Sequence, residues 1–423
     1  MTDAAIRDRR SVWSWIIYDL ANTVFALGVI GLYFPDWLTS VDQPDSLLAI
    51  VEATAGLIVI FLAPWAGARS DAKGTRVPTL IATTLVAVTA TALLGINVPL
   101  SIVALGVALI AFNIGAVVYD ALLVDVSTEG DRGRISGLGI GIGYVGSYLG
   151  LLVGILTLDI LAWSYSATFR SLAFVFLVFA IPSFVFIKER EGSAGARAPG
   201  IIDIPRRLGV AWRTASRYPG VVRFLVSRFL YTDAINTLIG GFLTIFVIQE
   251  LGLDRQFVQG LLGLAITAAI FGGIGTGRVV ERHGPTRVLR WVLVIWMLAI
   301  SFGILAALTG RTWLAWAIGP LGGFALGATW ASDRVVMTRI SPPRFLGEFY
   351  GLYATVGRFA TILGPLVWAL VVDVLDLGRR VAMGALIAFV FTGWWLLKRV
   401  DDAPRFWASG DLPIVPGAIA PDV

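Results

Sequence analysis

The residues of this chain that could do chemistry are carboxylates and guanidiniums set inside apolar runs. Asp19 and Asn22 stand three apart in YDLANT, and Asp233 and Asn236 repeat the pair in YTDAINT. Residues three apart on a helix share a face. Each pair therefore offers a carboxylate beside a carboxamide, which can bind an ammonium group, hydroxyls or a coupling cation, or can join two helices by hydrogen bonds. Arg334 and Arg358 lie in two further apolar runs, Glu52 and Asp120 in two more. Arg334 can grip a substrate carboxylate bidentately or close a gate with Asp120, Asp125 or Asp333. Arg358 is about ten residues into its run, too deep to snorkel to an interface, and is expected to face the interior. A proton step has to use a carboxylate that burial keeps protonatable. Asp19, Glu52, Asp120 and Asp233 are the candidates for coupling to H+ or Na+. Tyr144 and Trp330 are candidate walls of a substrate pocket.

Other chemistries are excluded. With no cysteine there is no disulfide framework, thiol nucleophile or thiolate metal site. The single histidine, His283, rules out histidine metal centres and serine–histidine triads. No nucleophile–base pair marks an enzyme, and no cofactor is implied. Of 423 residues, 57% are hydrophobic and only 14% charged, against about a quarter charged in a soluble domain. A mean hydropathy of +0.82 over the whole length cannot be hidden in one water-soluble core. The composition is that of a polytopic membrane protein.

The candidate residues must be positioned by membrane helices. About 20 apolar residues cross the hydrocarbon core. Twelve runs qualify, near 14–34, 46–66, 77–96, 100–124, 135–158, 168–187, 225–248, 257–277, 287–308, 312–337, 348–372 and 379–397. The first is too long for a cleaved signal peptide and lacks a small-residue cleavage site. With the N-terminus inside, 25 of the 33 lysines and arginines fall on the cytoplasmic side. Arg170, Arg255, Arg311, Arg379 and Arg380 fall outside, while Arg228, Arg334 and Arg358 lie in or at the edge of runs. The positive-inside bias then sets both termini in the cytoplasm. The net charge of +5 belongs to these loops rather than to a nucleic-acid surface. The reading divides the chain into a six-helix bundle at 1–187, a cytoplasmic linker at 188–224, a second bundle at 225–400 and a tail at 401–423.

The two bundles repeat. Asp19 and Asp233, Asn22 and Asn236, and Thr23 and Thr237 are each 214 residues apart, as are Gly137 and Gly351, and Asp120 and Arg334. The loop GARSDAKGTR (67–76) has a degenerate copy at 277–287. Its glycines Gly67 and Gly277 permit close helix approach; Asp71, Glu281, Arg76 and Asp125 can cap helix ends or pair as gate residues. The seven glycines of 137–154 point to close packing or bending of that helix.

The loop 67–76 and its copy resemble the signature of the major facilitator superfamily. Within it the chain is similar to the vacuole-effluxer (Atg22-like) family. The residues that carry the likeness are SWIIYDLANTVFA (14–26) with Phe34 and Pro35, SGLGIGIGYVG (136–146), YTDAINT (231–237), and EFYGLY (348–353) with Gly364 and Pro365. Asp120, Trp330 and Asp333 depart from that family's usual residues. The resemblance implies an all-α fold of 12 transmembrane helices in two pseudo-symmetric six-helix bundles. It also implies a solute transporter, and it associates fungal members with amino-acid export from vacuoles. A monomer in a bacterial inner membrane is expected, moving a small polar solute by alternating access between its halves. An amino acid or similar zwitterion fits the mixture of acids and arginines. A cation-coupled sugar or glycoside symporter, suggested by VDVSTEGDR (124–132), and a drug exporter are the alternatives.

Overall fold

The computed structural model describes residues 8–73, 75–127, 132–189, 203–342 and 346–403, and among these every regular element is helical. Eleven helices are long and apolar enough to cross a membrane. They are α1 (Arg9–Ser40), α2 (Asp45–Lys73), α4 (Val98–Val126), α5 (Arg132–Gly154, helical on to Ile160), α6 (Tyr165–Phe186), α8 (Val221–Glu250), α9 (Arg255–His283), α10 (Pro285–Thr309), α11 (Thr312–Ile340), α12 (Phe349–Val374) and α13 (Arg379–Leu397). A shorter apolar helix, α3 (Val77–Ala92), occupies the third position, and α7 (Asp203–Ala215) lies in the linker. Residues 190–202 of the linker and 404–423 of the tail lie outside the described residues.

Polar caps set the helix ends. Asp8 accepts from the backbone N–H of Arg10 at the start of α1, which therefore begins five residues before the expected run. Lys188 lies 3.0 Å from Asp8, and its hydrogen bond, with that of Arg10, holds the Asp8 carboxyl below the usual carboxylate range. Asn97, Ser164 and Asp254 cap α4, α6 and α9 in the same way. Gly310, in the left-handed region at φ +67°, ends α10.

Two compact units emerge. The first comprises Met1–Ile204, Asn236–Ile266 and Thr361–Ala382; the second comprises Pro205–Ile235, Thr267–Ala360 and Met383–Val423. The first unit thus holds α1–α6 together with segments of α8, α9, α12 and α13 remote from the basic loops. That end is called outer below.

The backbone itself carries the repeat. Wide i→i+5 turns begin at Val24 in α1 and at Leu238 in α8, and again at Ile155 and Leu370 near the ends of α5 and α12. After α5, Leu161 donates to the Leu156 carbonyl (2.9 Å) and Trp163 to that of Thr157 (2.7 Å). After α12, Leu375 donates to Leu370 (2.8 Å) and Leu377 to Val371 (3.0 Å), every partner shifted by 214. Ala162 and Asp376, also 214 apart, both take φ near +50° to turn the chain.

In the first unit α1 lies against α5 so closely that side chains on α5 are mostly missing at the contact. Gly139 faces the Trp15 ring, Gly143 faces Asp19, Gly146 faces the Leu20 carbonyl and Gly154 faces Tyr33. Thr23 donates to the Gly143 carbonyl, and Tyr33 donates to that of Leu151 at 2.7 Å. Small residues let backbones meet where lipid gives no hydrophobic drive to association. Gly241 of α8 meets a second demand: its φ is +111°, and a Cβ there would overlap Pro35.

A side chain at Gly146 has nowhere to go, whereas Gly141 faces open space. Overpacking of this kind costs about 1–3 kcal/mol. In detergent, Gly146→Val should lower the thermal midpoint by several degrees and Gly141→Ala should leave it unchanged. Equal behaviour of the two variants would refute the packing role.

Candidate functional site

In the first unit the N-terminal signature builds a polar and aromatic wall. Trp15 stacks on Tyr119 with ring centroids 4.6 Å apart and donates its indole N–H to the Tyr119 carbonyl. Tyr18 is fully buried and its hydroxyl lies 2.6 Å from Thr84. Asp19, half-buried, faces Gly143, and Asn22 is buried one turn on. Tyr144 is half-buried on α5.

At the inner end, two residues expected to form gate hardware do meet. Arg76 donates to Asp125 at 2.8 Å. Gly67 and Gly277 lie within α2 and α9, and Glu281 is exposed on α9. Asp71 falls on α2, but its side chain lies outside the described residues. A further acid, missed by sequence reasoning, caps α3: Glu189 accepts from the backbone N–H of Arg76 (2.5 Å) and Val77 (2.6 Å). In the second unit Asp402 accepts from Thr286 N–H (2.8 Å) at the start of α10. Glu189 and Asp402 each follow the last helix of a half and cap the third helix of that half, where negative charge meets the positive end of the dipole.

The outer end of the first unit is tied by ion pairs. Arg255, the first residue of α9, donates to Asp159 (2.7 Å) in the last turn of α5, to Asp36 (3.2 Å) in α1 and to the Tyr165 hydroxyl (2.9 Å) of α6. Tyr165 in turn donates to Asp36 at 2.7 Å, and Gln259 donates to Asp159 at 2.7 Å. Arg379, at the head of α13, holds Asp45 through two bonds of 2.9 Å, and Trp368 donates its indole N–H to the same carboxylate. Glu52 packs against Gly240 of α8. The acid side chains are only 3–11% exposed and both arginines 23%. These pairs are therefore shielded far more than surface ones.

The second unit encloses a charge cluster. Arg228 of α8 is 5% exposed, and Asp333 of α11 is fully buried. Arg228 Nε lies 3.3 Å from Asp333, its guanidinium stacks 3.7 Å from the Tyr353 ring centroid, and Nη1 donates to the Tyr353 carbonyl. The Tyr353 hydroxyl donates to Asp333 at 2.8 Å and that of Tyr231 at 3.4 Å. A side chain at Gly357 would strike the guanidinium. In the first unit the positions 214 residues earlier are Ser14, Tyr119 and Gly139, so uncharged residues stand where this unit carries an ion pair, and Tyr119 stacks instead on Trp15.

Asp333 is thus engaged by Arg228, and Arg334, one residue on, is exposed. Asp120 is exposed on α4, and Trp330 and Arg358 are half-buried on α11 and α12. Asp233 is fully buried in the second unit; Asn236 is half-buried in the first. Sequence reasoning counted Arg255, Arg379 and Arg228 but gave them no partners. Two signals marked them: Arg255 and Arg379 run against the charge bias of the loops, and Arg228 opens an apolar run. Among the described residues no group of three or more acids or histidines could hold a metal ion.

A profile of the family described as "Vacuole effluxer Atg22 like" matches residues 124–403. The chain belongs to that family. The MFS-type transporter YxiO of Bacillus subtilis is 26% identical over 400 residues, 89% of this chain and 92% of that protein. Autophagy-related protein 22-2 of Aspergillus clavatus is 28% identical over 268 residues, 57% of this chain; the match spans less than half, 43%, of that longer protein. Among solved structures, the nucleoside transporter NupG superposes with a TM-score of 0.71 at 12% identity, covering 92% of this chain and 99% of its own. The human organic anion transporter MFSD10 gives 0.66 at 16%, with the same coverage. The fold is the twelve-helix major facilitator fold, and the chain is an integral membrane transporter of that type.

Two measurements check the clusters. The chain has no native cysteine, so Thr244→Cys, at a buried position bonded to the Gly31 carbonyl, is a clean reporter for outer access. Adding Arg255→Gln and Arg379→Gln should speed its maleimide labelling severalfold; an unchanged rate rejects a role for these ion pairs in limiting access. Removing one partner of a buried pair costs about 3–5 kcal/mol, whereas removing both can be neutral. Asp333→Asn or Arg228→Gln alone should therefore lower the thermal midpoint markedly, and the double variant should recover much of the loss.

Proposed function

We propose that this chain is a secondary active transporter that moves a small polar organic solute by rocker-switch alternating access, with an amino acid or similar zwitterion as the favoured class. The observation that carries the reading is the exposed Arg334 beside a neutralised Asp333. A guanidinium six residues from the end of a membrane helix is costly against lipid and is kept where water or an anionic group meets it. In this reading Arg334 takes the substrate carboxylate bidentately, and Arg358 adds positive charge. Asp19 and Asp233, with Asn22 and Asn236, take the ammonium end, while Tyr144 and Trp330 wall the pocket.

The solved neighbours named above carry nucleosides and organic anions by their titles, and a third, a D-xylose–proton symporter, carries a sugar with a proton. Those cargoes are small and polar, which supports the class and leaves its member open. Arg255 and Arg379 act as the outer gate; Arg76 with Asp125, Asp71, Gly67, Gly277 and Glu281 act at the inner one. A proton or Na+ couples through Asp19, Glu52, Asp120 or Asp233. The protein works as a monomer in a bacterial plasma membrane with both termini cytoplasmic, as the distribution of basic residues favours.

Purified protein screened by thermal shift against amino acids, sugars, polyamines and organic acids should melt higher with its substrate. Counterflow of that compound in proteoliposomes should then fall at least tenfold in Asp19→Asn and in Arg334→Gln. If both variants keep wild-type counterflow, the site assignment is wrong; a sugar as the sole stabilising ligand replaces the zwitterion reading with the symporter one.

A further inference from the structure

The second unit holds a groove of about 450 Å³ that the transport reading does not use. Gly209 and Trp212 of the linker helix α7 line it, with Val226 and Phe229 of α8 and Val356 and Phe359 of α12. Its one lining hydroxyl, that of Thr355, is spent on the Gly351 carbonyl at 2.8 Å. A pocket for a polar solute needs a few placed polar groups to fix orientation, and this one has none to spare. Hydrocarbon is what it fits.

The rim has the opposite character. Arg206 and Arg213 lie three residues before and four after Gly209, so on α7 they share its face one turn to either side. Both are exposed, as is Arg217 just past the helix end, and none of the three pairs with a described carboxylate. Trp212 and Val210 stay substantially exposed on the same short helix. A basic helix with exposed apolar residues, set immediately before a membrane helix, lies at headgroup level.

We propose that α7 and this groove form a binding site for an anionic glycerophospholipid. One acyl chain occupies the groove against Gly209, Val226 and Phe359, and Arg206 and Arg213 hold the phosphate, with Arg217 beside them. Gly209 serves the chain by omission: nothing lies within 4 Å of where its Cβ would be, so the helix adds no bulk to the groove wall. Arginine suits the head because its planar fork meets phosphate oxygens in pairs. The site tethers the linker, the one segment joining the two six-helix halves, to the leaflet beside it.

The full-length protein in detergent, titrated with phosphatidylglycerol or phosphatidylcholine of identical chains and read by native mass spectrometry, tests this. Wild type should retain one phosphatidylglycerol at concentrations where phosphatidylcholine is lost. Arg206→Gln with Arg213→Gln should weaken phosphatidylglycerol binding about tenfold or more and abolish the preference. Gly209→Leu should reduce retention of phosphatidylglycerol, with Val226→Trp as a second way of filling the groove. Equal retention of both lipids by wild type, or full retention of phosphatidylglycerol by every variant, overturns the assignment and leaves the groove to residues 404–423 or to a partner helix.

Discussion

A charge taken into hydrocarbon has to bring its partner with it, and much of this structure follows from that cost. Each strongly buried charge with a resolved contact is matched on the spot: Asp333 by Arg228 and two tyrosines, Asp45 by Arg379 and Trp368, Asp36 by Arg255 and Tyr165. Desolvation of two ions is repaid only when the remaining lone pairs and protons are also satisfied. On the acids, tyrosine hydroxyls and indole N–H groups supply that second layer. The same requirement separates the ionic groups into two kinds. Paired ones hold helices together, while an exposed one such as Arg334 keeps its charge available.

Where those pairs sit matters for a transporter. The outer pairs join the starts of α9 and α13 to segments from the first half of the chain, within a single compact unit. Ion pairs at such junctions are suited to reversible contact, since each partner can be rehydrated when the junction parts. Apolar packing would resist that exchange with water. The Arg228–Asp333 pair is of another kind, being closed off on all sides by α8, α11 and α12, and its loss would be felt first as instability.

Duplication supplied the frame and divergence supplied the chemistry. The wide turns recur at an offset of 214 or 215 residues, and the left-handed caps and the hydrogen bonds around them at 214, as do, within one residue, the acids that cap α3 and α10. Yet Ser14, Tyr119 and Gly139 stand in one unit where Arg228, Asp333 and Tyr353 pair in the other. Backbone geometry is shared because it satisfies the helix ends, which lipid demands of every span. Side chains in the interior are under no such common rule.

The sequence by itself determined the class of protein, the number and order of its membrane helices, the repeat and the family. All of these rest on local quantities: run length, hydropathy, charge bias and spacing. It also made the close packing by the glycines of α5 legible, because small residues in a lipid-embedded helix have few other uses. It singled out Arg76 and Asp125, which the structure brings to 2.8 Å. It did not decide which acid meets which arginine. Arg255 finds Asp159 and Asp36 across 96 and 219 residues, and Arg379 finds Asp45 across 334, distances over which composition and periodicity carry no information. Partner choice is a property of how helices lie against each other, so only the tertiary structure could separate Asp333, consumed by Arg228, from Arg334, left open beside it.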